Sequence, residues 1–177
     1  MSAMLGAAAT VALPGFADAA PPDWRNQILM RERVLQLTRD GETATLCYWR
    51  PGSGYDMQGY LKACHLLRDV TYNTQAYIDL KLLDTLFIIQ QWLRAYGKPH
   101  SIVILSGYRT PEHNGSLENA AKTSLHMQGK AVDFYIPGVP VSGLAAIGKV
   151  VAAGGVGFYP SGNFIHIDTG RIRHWRG

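Results

Sequence analysis

The sequence predicts an α+β domain, a small antiparallel sheet with helices packed on one face. Three observations predict it. Asp40-Gly41 lies between two β-prone runs, 33–39 and 42–49, a strong hairpin signal. Across 75–96, Leu82, Leu83, Leu86, Phe87, Ile89, Leu93 and Tyr96 recur at helical spacing, and Gly97 and Pro99 end the run. Near the C-terminus, 156–159 and 164–168 flank Pro160-Ser161-Gly162 and read as a second antiparallel pair.

The remaining elements fall between these. Arg50-Pro51-Gly52-Ser53-Gly54 is a loop, and 57–68 reads as a short helix with Leu61, Cys64 and Leu66 or Leu67 on one side. The β-branched run 102–105 is a buried strand, followed by polar segments over 106–114 and 115–124. Residues 130–136 form a strand, 137–140 a turn, and 141–153 an Ala-rich helix stopped by Gly154-Gly155.

At 177 residues with 47% hydrophobic side chains, the chain supports one domain with a real core. Two segments are expected: 1–19, signal-peptide-like, and a single domain over 20–177. Residues 3–16 are small and apolar, and Ala17-Asp18-Ala19 has the form of a signal peptidase site. No Lys or Arg precedes the apolar run, as expected of a signal truncated at its charged start; a disordered Ala-rich tail is the competing reading. With a signal, the protein is periplasmic or secreted, and no other run is long enough to insert the mature chain in a membrane. Cys47 and Cys64 form no Cys-x-x-Cys pair; they are either a disulfide or two free thiols. The net charge of +4 suits an anionic partner without choosing among murein, lipid and nucleic acid. Apart from Arg171, Arg173 and Arg176 the basic residues are scattered and no recognition motif is present, so nucleic acid is not expected as a partner. There is no Gly-rich phosphate loop and no Gly-x-Ser-x-Gly elbow.

Chemistry concentrates in Ser124-Leu125-His126-Met127-Gln128-Gly129-Lys130-Ala131-Val132-Asp133 and in Phe164-Ile165-His166-Ile167-Asp168. Alternate side chains of a strand share a face. Asp133 thus projects opposite Val132 and Phe134, and His166 and Asp168 project opposite Ile165 and Ile167. Two imidazoles and a carboxylate suit zinc, and three protein ligands leave a position for a reacting water. A single His-x-Asp on a strand is usually a hydrogen-bonded structural pair. The joint occurrence of His126, Asp133 and His166 points to a metal.

The pattern Ser-x-His-x-x-Gly-x-Ala-x-Asp with a distal His resembles the LAS superfamily, which comprises zinc D-alanyl-D-alanine peptidases, lysostaphin-like endopeptidases and the hedgehog signalling domain. Ser106-Gly107-Tyr108-Arg109-Thr110-Pro111, 126–137 and 154–175 look like the MepK-type murein endopeptidases. The resemblance spans about residues 100–175 and implies a hedgehog/D-Ala-D-Ala-peptidase-like fold. It also implies zinc held by His126, Asp133 and His166, with peptidoglycan stem peptides as the substrate. Ser124 and Tyr108 would position a ligand or substrate. Arg109 would stabilise the oxyanion, with a surface salt bridge as its other reading.

The chain departs from the pattern at one place. Many relatives carry a Glu three residues before the last ligand as general base; here that position is Asn163, and an amide accepts no such proton. Asp168 is the first replacement, with an orienting partner of His166 as its alternative role; His174 and His113 follow. Arg171, Arg173 and Arg176 either attract substrate carboxylates or form a solvated tail. Tyr108, Tyr135, Tyr159 and Trp175 either line a cleft or belong to the core. Three functions follow: a zinc peptidase cutting peptidoglycan cross-links as an endopeptidase or D,D-carboxypeptidase, a non-catalytic zinc domain that binds murein, or a metal-free scaffold.

Overall fold

The computed structural model describes residues 24–118, 120–151 and 154–177, and the signal-like segment 1–19 lies outside them. A short helix α1 (Trp24–Leu29) leads into β1 (Arg33–Arg39) and β2 (Glu42–Arg50). These two form the expected hairpin. Asp40 and Gly41 both take positive φ, 48° and 81°, as a two-residue turn matched to strand twist requires. Leu35 and Leu37 of β1, with Ala44, Leu46 and Tyr48 of β2, are buried on one face.

After the two-residue β3 (Gly54–Tyr55), Asp56 accepts the Gly59 N–H and opens α2 (Met57–Leu66). Helix α3 (Leu80–Ala95) starts later than its periodicity suggests, because the Asp79 side chain accepts the Lys81 N–H and caps it there. Then come β4 (Ile102–Ser106), α4 (Pro111–Ser116), a 3-10 turn (Leu125–Gln128), β5 (Ala131–Tyr135) and α5 (Val141–Val151). Strands β6 (Gly155–Tyr159), β7 (Phe164–Asp168) and β8 (Arg173–Arg176) complete the chain. The segment read as a polar loop contains α4, whose signal is Thr110-Pro111: the threonine hydroxyl caps the His113 N–H and proline fills the first turn.

The α+β class holds, but the sheet is neither small nor purely antiparallel. It has eight strands in the order β3-β2-β1-β4-β5-β7-β6-β8. Strand β4 runs parallel to β1, because the crossover through α2 and α3 returns the chain in its original direction. Strand β8 runs parallel to β6, since the antiparallel β7 lies between them in sequence. Residues 173–176 are thus an edge strand rather than a solvated tail.

Helices α2, α3 and α5 pack on one face of the sheet, where Val132, Phe134, Ile165 and Ile167 join the hairpin residues and Leu82, Leu86 and Ile89 in one core. Cys64 is buried within it and Cys47 is half-buried; both are free thiols. The other face of β5 and β7 is left open for polar residues. Between Ile104 and Ser106 the register of β4 against β5 shifts, which brings Ser106 opposite Asp133.

Candidate metal centre

Strands β5 and β7 pair so that Asp133 faces His166 and Ala131 faces Asp168. The core residues on either side fix this register, since a slip by one position would turn Val132 and Phe134 out to the polar face. His126 arrives from the 3-10 turn. Ser124 accepts the His126 N–H at 3.3 Å and so caps that turn. Gly129 ends it at φ 65°, where a side chain would collide with the Tyr77 carbonyl oxygen.

The buried His126 ring gives its Nδ1 proton to the Gly107 carbonyl at 2.6 Å, so Nε2 presents a lone pair. Burial lowers its pKa and outweighs nearby Asp133. His166 is oriented the opposite way round. Its Nε2 gives a proton to Asp168 Oδ2 at 3.0 Å, and Nδ1 faces Asp133 Oδ1 at 2.8 Å and His126 Nε2 at 3.2 Å. Burial would lower the His166 pKa, but the carboxylates of Asp133 and Asp168 on either side raise it. Burial would likewise raise Asp133, yet the neighbouring imidazoles of His126 and His166, the latter hydrogen-bonded to it, hold it well below the usual carboxylate range. The meeting point of these donors therefore favours positive charge, as a proton or as a metal ion that displaces it.

One ligand atom from each of His126, Asp133 and His166 lies within 4.8 Å of the others, and no other such group of His, Cys, Asp or Glu occurs among the described residues. Donors around a tetrahedral zinc ion stand about 3.3 Å apart. The two edges from His126 Nε2, 3.2 Å to His166 and 3.4 Å to Asp133 Oδ2, match that spacing. The third edge, 2.8 Å, is shortened by the hydrogen bond it now makes. The donor set fits a zinc-type cation.

Arg109 joins the cluster from the loop after β4. Its Nη2 donates to Asp133 Oδ2 at 2.6 Å and its Nε to Ser106 Oγ at 2.7 Å, and Nη1 makes no hydrogen bond among the described residues. The loop itself is anchored at three backbone points. Tyr108 N–H reaches the Leu67 carbonyl, Arg109 N–H the His126 carbonyl, and Thr110 N–H the buried Asp69 carboxylate at 2.8 Å. Asp69, which carried no signal in the sequence, thereby positions Arg109.

Asp168 is buried and fully engaged. Oδ1 accepts N–H groups of Gly155 and Gly170 and one from Arg173, while Oδ2 accepts from His166 and Arg173 Nη2. Burial raises this carboxyl, but the bonds from His166, Arg173 and the two glycines hold it well below its usual range. A side chain at Gly155 would collide with this carboxylate.

The cluster opens into a cleft of 570 Å³ whose wall includes Ser124, Tyr159, Phe164 and Trp175. Trp175 Nε1–H donates to the Tyr159 hydroxyl at 2.9 Å, and its ring lies 5.2 Å from that of His166. Tyr108 packs against the core instead, and neither it nor Tyr135 lines the cleft. His113 is tied to Asp69 at 2.9 Å, and His174 is exposed on β8. Asn163 sits at φ 53° in the turn between β6 and β7, a conformation asparagine tolerates, and is also outside the cleft lining.

Comparison with known proteins adds an independent finding. A family described as peptidoglycan L,D-endopeptidase MepK matches residues 27–175. The peptidoglycan L,D-endopeptidase MepK of Escherichia coli K12 is 36% identical over 174 residues, covering 95% of this chain and 89% of the relative. The protein of that name from Shigella flexneri matches to the same extent. A probable peptidoglycan L,D-endopeptidase MepK from Haemophilus influenzae is 37% identical over 120 residues, 66% of this chain and 63% of its own length. No solved structure matches the chain.

Proposed function

The chain belongs to the peptidoglycan L,D-endopeptidase MepK family, and from that premise we propose that it is a zinc-dependent peptidase that hydrolyses L,D peptide bonds in peptidoglycan cross-links. The observation that carries this reading is the convergence of two oriented imidazoles and one carboxylate within 4.8 Å at the floor of an open cleft. His126 Nε2, His166 Nδ1 and Asp133 would hold the ion. Bound zinc would supply Lewis-acid activation of water and of the scissile carbonyl at neutral pH.

The chain's own residues do the rest. Asp168 fixes the His166 tautomer from the far nitrogen and strengthens its donor; with both oxygens occupied it acts as an orienting partner, not a base. Gly107 does the same for His126 through its carbonyl. Arg109, held at Nε and Nη2, would offer its remaining donor Nη1 to the oxygen that gains charge as the carbonyl is attacked. Ser124 caps the turn that carries His126 and also lines the cleft, where its hydroxyl can meet substrate. Tyr159 and Trp175 offer flat walls to the stem peptide. Peptidoglycan as substrate places the work in the periplasm, and no described helix is long and apolar enough to cross a membrane.

A second reading, a zinc domain that binds murein without cutting it, is favoured by Asn163, which supplies no base. Digestion of purified sacculi, with products identified by mass, separates the two. Zinc-loaded wild type releases new muropeptides and His166→Ala does not. Sacculi bound but left intact by the wild type would give the case to the binding module.

A further inference from the structure

We propose that Glu118 is the general base of this site, taking the proton from the attacking water and passing it to the leaving amine. The inference rests on the peptidase reading above. Three carboxylates line the cleft: Asp133, Asp168 and Glu118. Asp133 is committed to His166 and Arg109. Asp168 accepts five hydrogen bonds and faces the nitrogen of His166 that points away from the cluster. Both nitrogens of His126 and of His166 are engaged. Arg109 and Arg173 accept no proton. The Tyr159 hydroxyl already accepts from Trp175. Glu118 has no hydrogen-bond or ion-pair partner among the described residues and is exposed to the cleft.

Residues on either side of it are tied to the fold: Leu117 N–H bonds to the Asn114 carbonyl, and the buried Asn114 side chain donates to the Ala121 carbonyl at 3.0 Å. A carboxylate among the cleft-lining residues is an acceptor of the kind that Asn163 does not provide. As the water oxygen bonds to the carbonyl carbon, one water proton moves to a Glu118 oxygen. When the C–N bond breaks, that proton moves to the departing nitrogen. The products are a carboxylic acid and an amine, and Glu118 returns to its ionised form.

The test uses the zinc-loaded full chain, Glu118→Gln and Glu118→Asp, with a muropeptide dimer carrying an L,D cross-link. Glu118→Gln should lower kcat by about 10²–10⁴-fold and leave KM within about twofold. Glu118→Asp should restore part of the rate. Zinc content and muropeptide affinity by calorimetry should match the wild type, since the residue neither holds metal nor grips substrate. A Glu118→Gln enzyme with near-normal kcat would overturn the proposal, as would a raised KM at unchanged kcat, which would make Glu118 a clamp for a substrate amine. A zinc-loaded wild type that cleaves nothing would overturn the peptidase reading together with this one. An active wild type and an equally active Glu118→Gln would overturn this one alone.

Discussion

On β5, Val132 and Phe134 enter the helix-covered core while Asp133 between them reaches the open face; on β7, Ile165 and Ile167 flank His166 in the same way. The two faces share a backbone but differ in how they hold together. The core face spreads its stabilisation over many apolar contacts, which also fix the strand register. The open face depends on a few directed hydrogen bonds, each with one donor and one acceptor. Damage to the first should therefore be graded and felt throughout the molecule, and damage to the second should be local and severe.

The largest effect expected is on the open face. His166→Ala should bring both cleavage and stoichiometric zinc to background, read by muropeptide analysis and elemental analysis, while circular dichroism and thermal midpoint stay near those of the metal-free wild type. A global loss of structure in this variant would break the division between faces. On the core face, Phe134→Ala should cost about 3–5 kcal/mol in denaturant unfolding, with zinc retained by the molecules that stay folded. Next, Asp168→Asn removes the charge behind His166 and should weaken zinc affinity by about 10–100-fold in a chelator competition.

The smallest effect concerns Asp69. Burial would raise its carboxyl, but bonds from the backbone of Thr110 and Tyr72 and the neighbouring His113 lower it below its ordinary value. A depressed carboxyl stabilises fully above the unfolded pKa of about 3.9, and that contribution is lost as the pH falls below it. Thermal melts between about pH 7 and pH 3 should show a steeper acid decline for the wild type than for Asp69→Asn. Identical slopes would remove Asp69 from the account.

The division between faces also explains what the sequence revealed. The alternation around Asp133 and His166 is a local, period-two signal, and the strands and ligand candidates were legible from it. The resemblance carried by 124–133 is borne out by the family match over 27–175. Asp40-Gly41 announced the hairpin because its positive φ values need those residue types. Parallel pairing leaves no comparable mark, since β1 meets β4 only after two intervening helices, and β8 meets β6 only after the whole of β7. Arg173 looked like one of three loose cations until Asp168 was seen to hold it. Asp69 and Glu118 lie in segments without periodicity, where a functional carboxylate and a solvated one read alike.

The outer strands have a bearing on behaviour at high concentration. One border of the sheet is the two-residue β3, and the other is β8, four residues long, with Arg173 and Arg176 among them. Brief borders give a neighbouring copy little backbone to add to, and the arginines on β8 disfavour a flat pairing there. Sheet-to-sheet stacking between copies is thereby disfavoured even where the protein is concentrated.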